Sequence, residues 1–84
     1  MTSYFFDFVT EGGIHADRHG DDLPNLEAVR REAILYLIER AAEMVIDAPA
    51  TGDIRVIVRD GNGSHILSVE LRIHQTETVE LAAK

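Results

Sequence analysis

Residues 12–22, GGIHADRHGDD, place two histidines and three aspartates within eleven residues. Those residue types suit a metal centre or acid/base work. His15-x-Asp17-x-His19 supplies three ligand atoms, and Asp21 and Asp22 could add others. A zinc site needs deprotonated nitrogen or oxygen ligands converging at about 2 Å, held in place by outer hydrogen bonds. No established metal motif has this spacing, and an aspartate-rich turn whose side chains bond their own backbone explains the same residues. His15, Asp17 and His19 are therefore weak metal candidates, and no cofactor is expected.

The remaining chemistry is thinner. Asp21 and Asp22 are adjacent, so their carboxylates diverge into solvent, and nothing points to the burial that raises an acid's pKa. Ser3, Ser64 and Ser68 lack a nucleophile-elbow context. Gly61-Asn62-Gly63 reads as a hairpin turn with no helix behind it, which removes the phosphate-loop reading. His65 and His74 fall on opposite faces at opposite ends of one strand and read as surface residues. No catalytic residue is expected, and the chain reads as a non-enzyme.

The elements that would position these residues follow from periodicity. Tyr4–Val9 (YFFDFV) is an aromatic-rich strand, with Phe6 and Phe8 toward the core and Asp7 marking the wetter side. Thr10 to Gly13 forms a turn, and a short strand returns over 14–17, with Ile14 and Ala16 inward and His15 and Asp17 outward. Residues 18–24 read as a polar loop. Pro24 disfavours helix at Leu23, and Asn25 is a suitable N-cap for a helix over about 26–47, with Glu27 in its first turn. At about 100° per residue, Leu26, Val29, Ala33, Ile34, Leu37, Ala41, Met44 and Ala48 share one stripe, the core face.

Strands over 53–60 (DIRVIVRD) and 65–74 both alternate, and their register is derivable. Ile54, Val56 and Val58 point inward from the first; Leu67, Val69, Leu71 and Ile73 point inward from the second. A two-residue turn at Asn62-Gly63 keeps inward residues opposed. It sets Val56 against Val69, Ile54 against Leu71, Arg55 against Glu70 and Asp53 against Arg72, which yields two opposite-charge pairs. The tail, 75–84, is weakly amphipathic. The whole predicts one α+β domain of order β-β-α-β-β. Its four-stranded, mainly antiparallel sheet carries the long helix on one face, with the second strand at an edge beside the first, then the third and fourth.

Composition bounds the function. The 84 residues allow one small core, and 45% apolar with 27% charged residues is ordinary for a globular chain. The absence of cysteine removes disulfides and thiolate chemistry. No apolar run reaches membrane-span length, and MTSYFFDFV has neither the basic region nor the apolar segment of a signal peptide. These features fit a cytoplasmic protein. A formal charge of −7 repels phosphate backbones and anionic lipid, so neither nucleic acid nor membrane is the expected partner.

Two surfaces could receive a protein. The helix carries a second apolar side, Leu35, Ile38, Ala42 and Ile46 with Val45 at its boundary, which one sheet cannot cover. The outward face of the second hairpin carries Arg55, Arg59 and Arg72 around Ile57 and Ile66. Either could join two copies, although exposed apolar residues and cross-strand ion pairs are also common without a partner.

Tyr4-Phe5-Phe6, Gly12-Gly13, Asp17-x-x-Gly20-x-x-Leu23-Pro24-x-Leu26-x-Ala28 and Glu32-Ala33 stand in an order that resembles a family of short bacterial proteins of unknown function. The later Ile54-x-Val56-x-Val58-x-Asp60-x-x-Gly63-x-x-Ile66 and Leu67-x-Val69 are similar to that family's hairpin. The resemblance runs to about Leu71, implies a free-standing domain, and carries no catalytic residues. Its motif positions are Asp17, Gly20, Leu23 and Pro24, not His15 or His19. Asp22-Leu23-Pro24 and the helix entry also resemble HicB-type antitoxins. The expectation is a small interaction or regulatory domain that self-associates as a homodimer. The alternatives are a HicB-like inhibitor that sequesters a basic protein, and a metal-binding protein using His15, Asp17 and His19.

Overall fold

The computed structural model describes residues 2–47 and 52–74, without the side chains of residues 44–47. It contains β1 (Thr2–Thr10), β2 (Gly13–His15), β3 (Asp21–Leu23), α1 (Leu26–Asp47), β4 (Gly52–Asp60) and β5 (His65–Ile73). All strand pairs are antiparallel, in the order β2-β1-β4-β5, and β3 also pairs with β1. The α+β architecture and the strand order agree with the sequence reading. The additional strand is β3, which lies within the stretch expected to be a polar loop. Among the described residues no helix is long and apolar enough to cross a membrane.

The core forms where α1 meets β1 and β4. Phe6 and Phe8, Val29, Ala33, Leu37 and Ala41, and Ile54, Val56 and Val58 are all buried. The helical members recur every fourth residue and the strand members every second, as each element's geometry requires. Each fully buried apolar side chain contributes about 1.5–3 kcal/mol. Asn25 caps the helix as expected: its Oδ1 accepts the Ala28 N–H at 2.8 Å. Leu26, expected in the core, is exposed, and Leu23 from β3 packs against the core beside the helix entry. Ala48 lies outside the described residues, as does the Met44 side chain.

Tyr36 meets Phe8 edge-on at 6.0 Å, and the Arg40 guanidinium lies 5.1 Å from the Phe8 ring centre. That flank of α1 therefore sits above β1. The opposite flank, with half-buried Ile34 and exposed Ile38, turns toward β5.

The second hairpin has the expected register from Asp53↔Arg72 to Val56↔Val69, but reaches it differently. The loop holds three residues, Gly61-Asn62-Gly63. Gly63 N–H donates to Asp60 O at 3.0 Å, and Asp60 N–H to Ser64 O at 2.9 Å. Gly63 closes this turn at φ +86°. Asp60 Oδ1 secures it by accepting the Asn62 and Ser64 N–H groups. The register then shifts between Val58 and Arg59, where β5 carries Ile66 as an extra residue, and the inward positions are opposed again.

The first hairpin corrects the sequence reading. Thr10↔Gly13 closes on Glu11-Gly12, which opposes Val9 to Ile14 and Phe8 to His15. Opposed residues share a face, so Ile14 follows Val9 away from the helix and is exposed, while His15 takes the helix-side position. The apolar type of Ile14 misassigned the whole strand, and Ala16 is exposed too. The strand also ends at His15 rather than at Asp17.

Candidate functional site

Strands β2 and β3 lie on the same edge of β1, at opposite ends. β2 pairs with Phe8, Val9 and Thr10, and β3 with Thr2, Ser3 and Tyr4. Between them no strand among the described residues covers β1, because residues 16–20 leave the sheet. Sheet alternation sends the Phe6 N–H into this gap, where an unmet donor would be costly. Asp17 meets it: its Oδ2 accepts the Phe6 N–H at 3.1 Å. Its Oδ1 accepts the His19 and Gly20 N–H groups at 3.0 and 3.2 Å, closing an Asx turn. One carboxylate thus stands in for a missing strand and folds the loop that displaced it.

Asp7 receives the other side of the loop. The Asp17 N–H donates to Asp7 Oδ1 at 2.9 Å. Arg59 donates to both Asp7 oxygens, from Nε at 2.7 Å and Nη2 at 3.2 Å, and Nη2 also reaches the Asp17 carbonyl at 3.0 Å. The guanidinium stands 4.9 Å over the Phe5 ring, a cation–π arrangement. Gly20 approaches the same ring closely: a Cβ there would lie 2.8 Å from Phe5 Cε2, and its φ is +75°. Asp7, expected on the wetter side, does face away from the helix but is only 8% exposed. The loop and Arg59 cover it.

The electrostatics fit structural use. Partial burial alone would raise the Asp17 pKa, but hydrogen bonds from Phe6, His19 and Gly20, with the nearby His19 charge, hold it below its ordinary value. The hydrogen bond to Asp7 holds the Arg59 guanidinium above its own. The Asp17 carboxylate is committed to backbone donors, an arrangement that favours its ionised form, and Asp7 is occupied by the Arg59 guanidinium and the Asp17 N–H.

His15 and His19 do not join Asp17 in a ligand set. Asp17 is beyond the end of β2, and His15 stands beside Phe8 at 6.5 Å between ring centres. Among the described residues no three His, Asp or Glu side chains are grouped to hold a metal ion. The two histidines instead border an open cleft of about 720 Å³ between the loop and α1, with Arg18, Asp21, Glu32, Leu35, Tyr36 and Glu39.

The other candidates separate into paired charges and open apolar groups. Arg72 bonds Asp53 at 2.9 Å and Arg55 approaches Glu70 to 4.0 Å, both pairs foreseen from the register. With Arg59 on Asp7, all three arginines have carboxylate partners. Ile57 is half-buried between them. On the helix, Leu35 and Ile38 are 46% and 54% exposed, and Ala42 is exposed. The side chains of Val45 and Ile46 lie outside the described residues.

The sequence reading missed the Asp7–Arg59 pair. The only available signal was the strand order, which puts β1 beside β4, together with an aspartate inside an aromatic strand. Neither the curated proteins nor the solved structures compared with the chain include a match. A family model does match it, over residues 3–72, which takes in Asp7, Asp17, Gly20 and Arg59. The chain belongs to the family described as "Domain of unknown function (DUF6894)".

Proposed function

We propose that this protein is a non-enzymatic interaction domain that works as a self-associated unit. The observation that carries this reading is the apolar layer between helix and sheet, which the described residues leave open on the β5 side. Ile38 is 54% exposed there and Leu71 36%, and Leu67, Val69 and Ile73 are only half-buried. In a domain this small, joining two such margins adds burial that one copy lacks. The Asp7–Asp17–Arg59 cluster supports the same reading, since its hydrogen bonds are used to hold the interrupted β1 edge. Asp22-Leu23-Pro24, the part that resembles HicB-type antitoxins, is used in β3 pairing and helix entry, so it favours no separate inhibitory role.

Sedimentation velocity across about 1–100 µM tests the reading, a range chosen because it spans ordinary protein–protein affinities. A concentration-dependent shift to a dimer is expected. A monomer throughout the range refutes it.

A further inference from the structure

We infer that the partner is a second copy of this chain, joined edge to edge through β5 in one antiparallel register centred on Leu71. This rests on the self-association reading and specifies its surface. The two edges of the sheet differ. On the β1 side, two three-residue strands flank a loop, and the donor in the gap is met by Asp17. On the other side β5 runs nine residues without proline or glycine, and beyond the bulge at Ile66 its pairing is regular from Leu67 to Ile73. Long regular edges of this kind are ready templates for another strand, and interrupted ones are not.

The phase of the ladder identifies which groups β5 offers. Phe6 N–H points away from β4, so the odd-numbered residues of β1 bond the odd-numbered residues of β4. The even-numbered residues of β4 then bond β5, as Asp60 N–H to Ser64 O illustrates. Their partners Leu67, Val69 and Leu71 therefore turn their backbone groups inward, and Ser68, Glu70 and Arg72 turn theirs to the open edge.

Charge selects the register. A two-fold pairing centred on Glu70 opposes two glutamates, and one centred on Arg72 opposes two arginines. One centred on Val69 sets Arg72 against Ile66. Centring on Leu71 opposes Glu70 to the partner copy's Arg72 and Arg72 to its Glu70, and both pairs exchange backbone hydrogen bonds. Across the joined sheet the order becomes Arg55, Glu70, then Arg72 and Asp53 of the second copy, alternating in sign. The contacts Arg55–Glu70 and Arg72–Asp53 already exist within one copy. On the other face Leu71 meets Leu71 and Val69 meets Ile73, which continues the half-open apolar row.

Paired charge variants test this. Glu70→Arg opposes arginines in the dimer, and Arg72→Glu opposes glutamates. Each alone is expected to weaken association roughly tenfold to a hundredfold, because two cross-strand pairs become repulsive. An equimolar mixture of the two variants restores complementary pairs and recovers the dimer by sedimentation velocity. In the wild type, the Glu70 and Arg72 amides should exchange more slowly as concentration rises, with Leu71 little changed; this arm stands even if a variant folds poorly. A monomeric wild type overturns both the register and the self-association reading, whether residues 75–84 or another protein covers the edge. A dimer that survives both single variants, or folded variants whose mixture does not associate, overturns the β5 register alone.

Discussion

Replacing Asp17 tests the central structural argument, because its carboxylate substitutes for a strand. Asp17→Ala removes the acceptor for the Phe6, His19 and Gly20 N–H groups together. The His19 amide is exposed and can turn to water; the Phe6 and Gly20 amides are part-buried. A hydrogen bond to a charged group contributes about 1.5–3 kcal/mol, and the three are not additive, so a loss of about 2–4 kcal/mol is expected. For a domain of this size that lowers Tm by about 10–25 °C. The pH dependence adds a second signature. The folded Asp17 pKa lies below its ordinary value, so the folded state binds fewer protons in that window. Its contribution is fully present above the unfolded pKa, and is lost as pH falls below about 4 and through the lower folded value. The stability gap between wild type and Asp17→Asn should therefore be flat near neutrality and shrink in acid. Urea unfolding at several pH values measures it. An Asp17→Ala Tm within about 2 °C of wild type at pH 7 would refute the role given to this carboxylate, because even one such hydrogen bond exceeds that shift.

Two further substitutions probe the same region. Gly20→Ala should destabilise by about 1–3 kcal/mol by thermal melt, since alanine resists positive φ and its Cβ would meet the Phe5 ring. Arg59→Ala should lower the urea midpoint clearly more than Arg72→Ala. The former leaves the Asp7 carboxylate under the loop without its counter-ion, while the latter leaves the more exposed Asp53 to water. Equal shifts would mean that Asp7 tolerates burial without its guanidinium.

What was legible in the sequence tracks how local the controlling interaction is. The β4–β5 register followed from alternation and one short turn, and it held although the turn has three residues and Ile66 absorbs the difference. The helix entry was equally readable, because Asn25 acts within its own first turn. In the first hairpin the apolar type of Ile14 points inward, whereas the two-residue loop decides its face. Asp7 and Arg59 lie 52 residues apart, and no tight turn links β1 to β4. Their contact depends on tertiary register, which alternation does not encode. The three-residue β3 was hidden for a related reason: Asp21-Asp22-Leu23 has no strand pattern, and pairing with Thr2–Tyr4 creates the strand.

Residues 12–22 have the composition of a ligand cluster, and the fold divides them by geometry rather than by chemical type. Asp17 and Gly20 enable β1 to keep an interrupted edge, one by meeting its exposed donor and the other by lying against Phe5. His15 and His19 border the cleft, and His19 joins that network only through its backbone N–H. For the proposed β5 dimer the interruption has a further consequence, because a sheet with two continuous edges can polymerise, whereas one continuous edge closes as a two-fold dimer. The loop at Asp17 thus limits pairing on the β1 side, and the β5 side is regular beyond Ile66 and self-complementary in charge. If Asp17→Ala loosens the loop while the domain stays folded, the variant should form species larger than a dimer in sedimentation velocity. A variant that stays dimeric, with its loop amides measurably deprotected, would separate the edge-blocking role from the stabilising one.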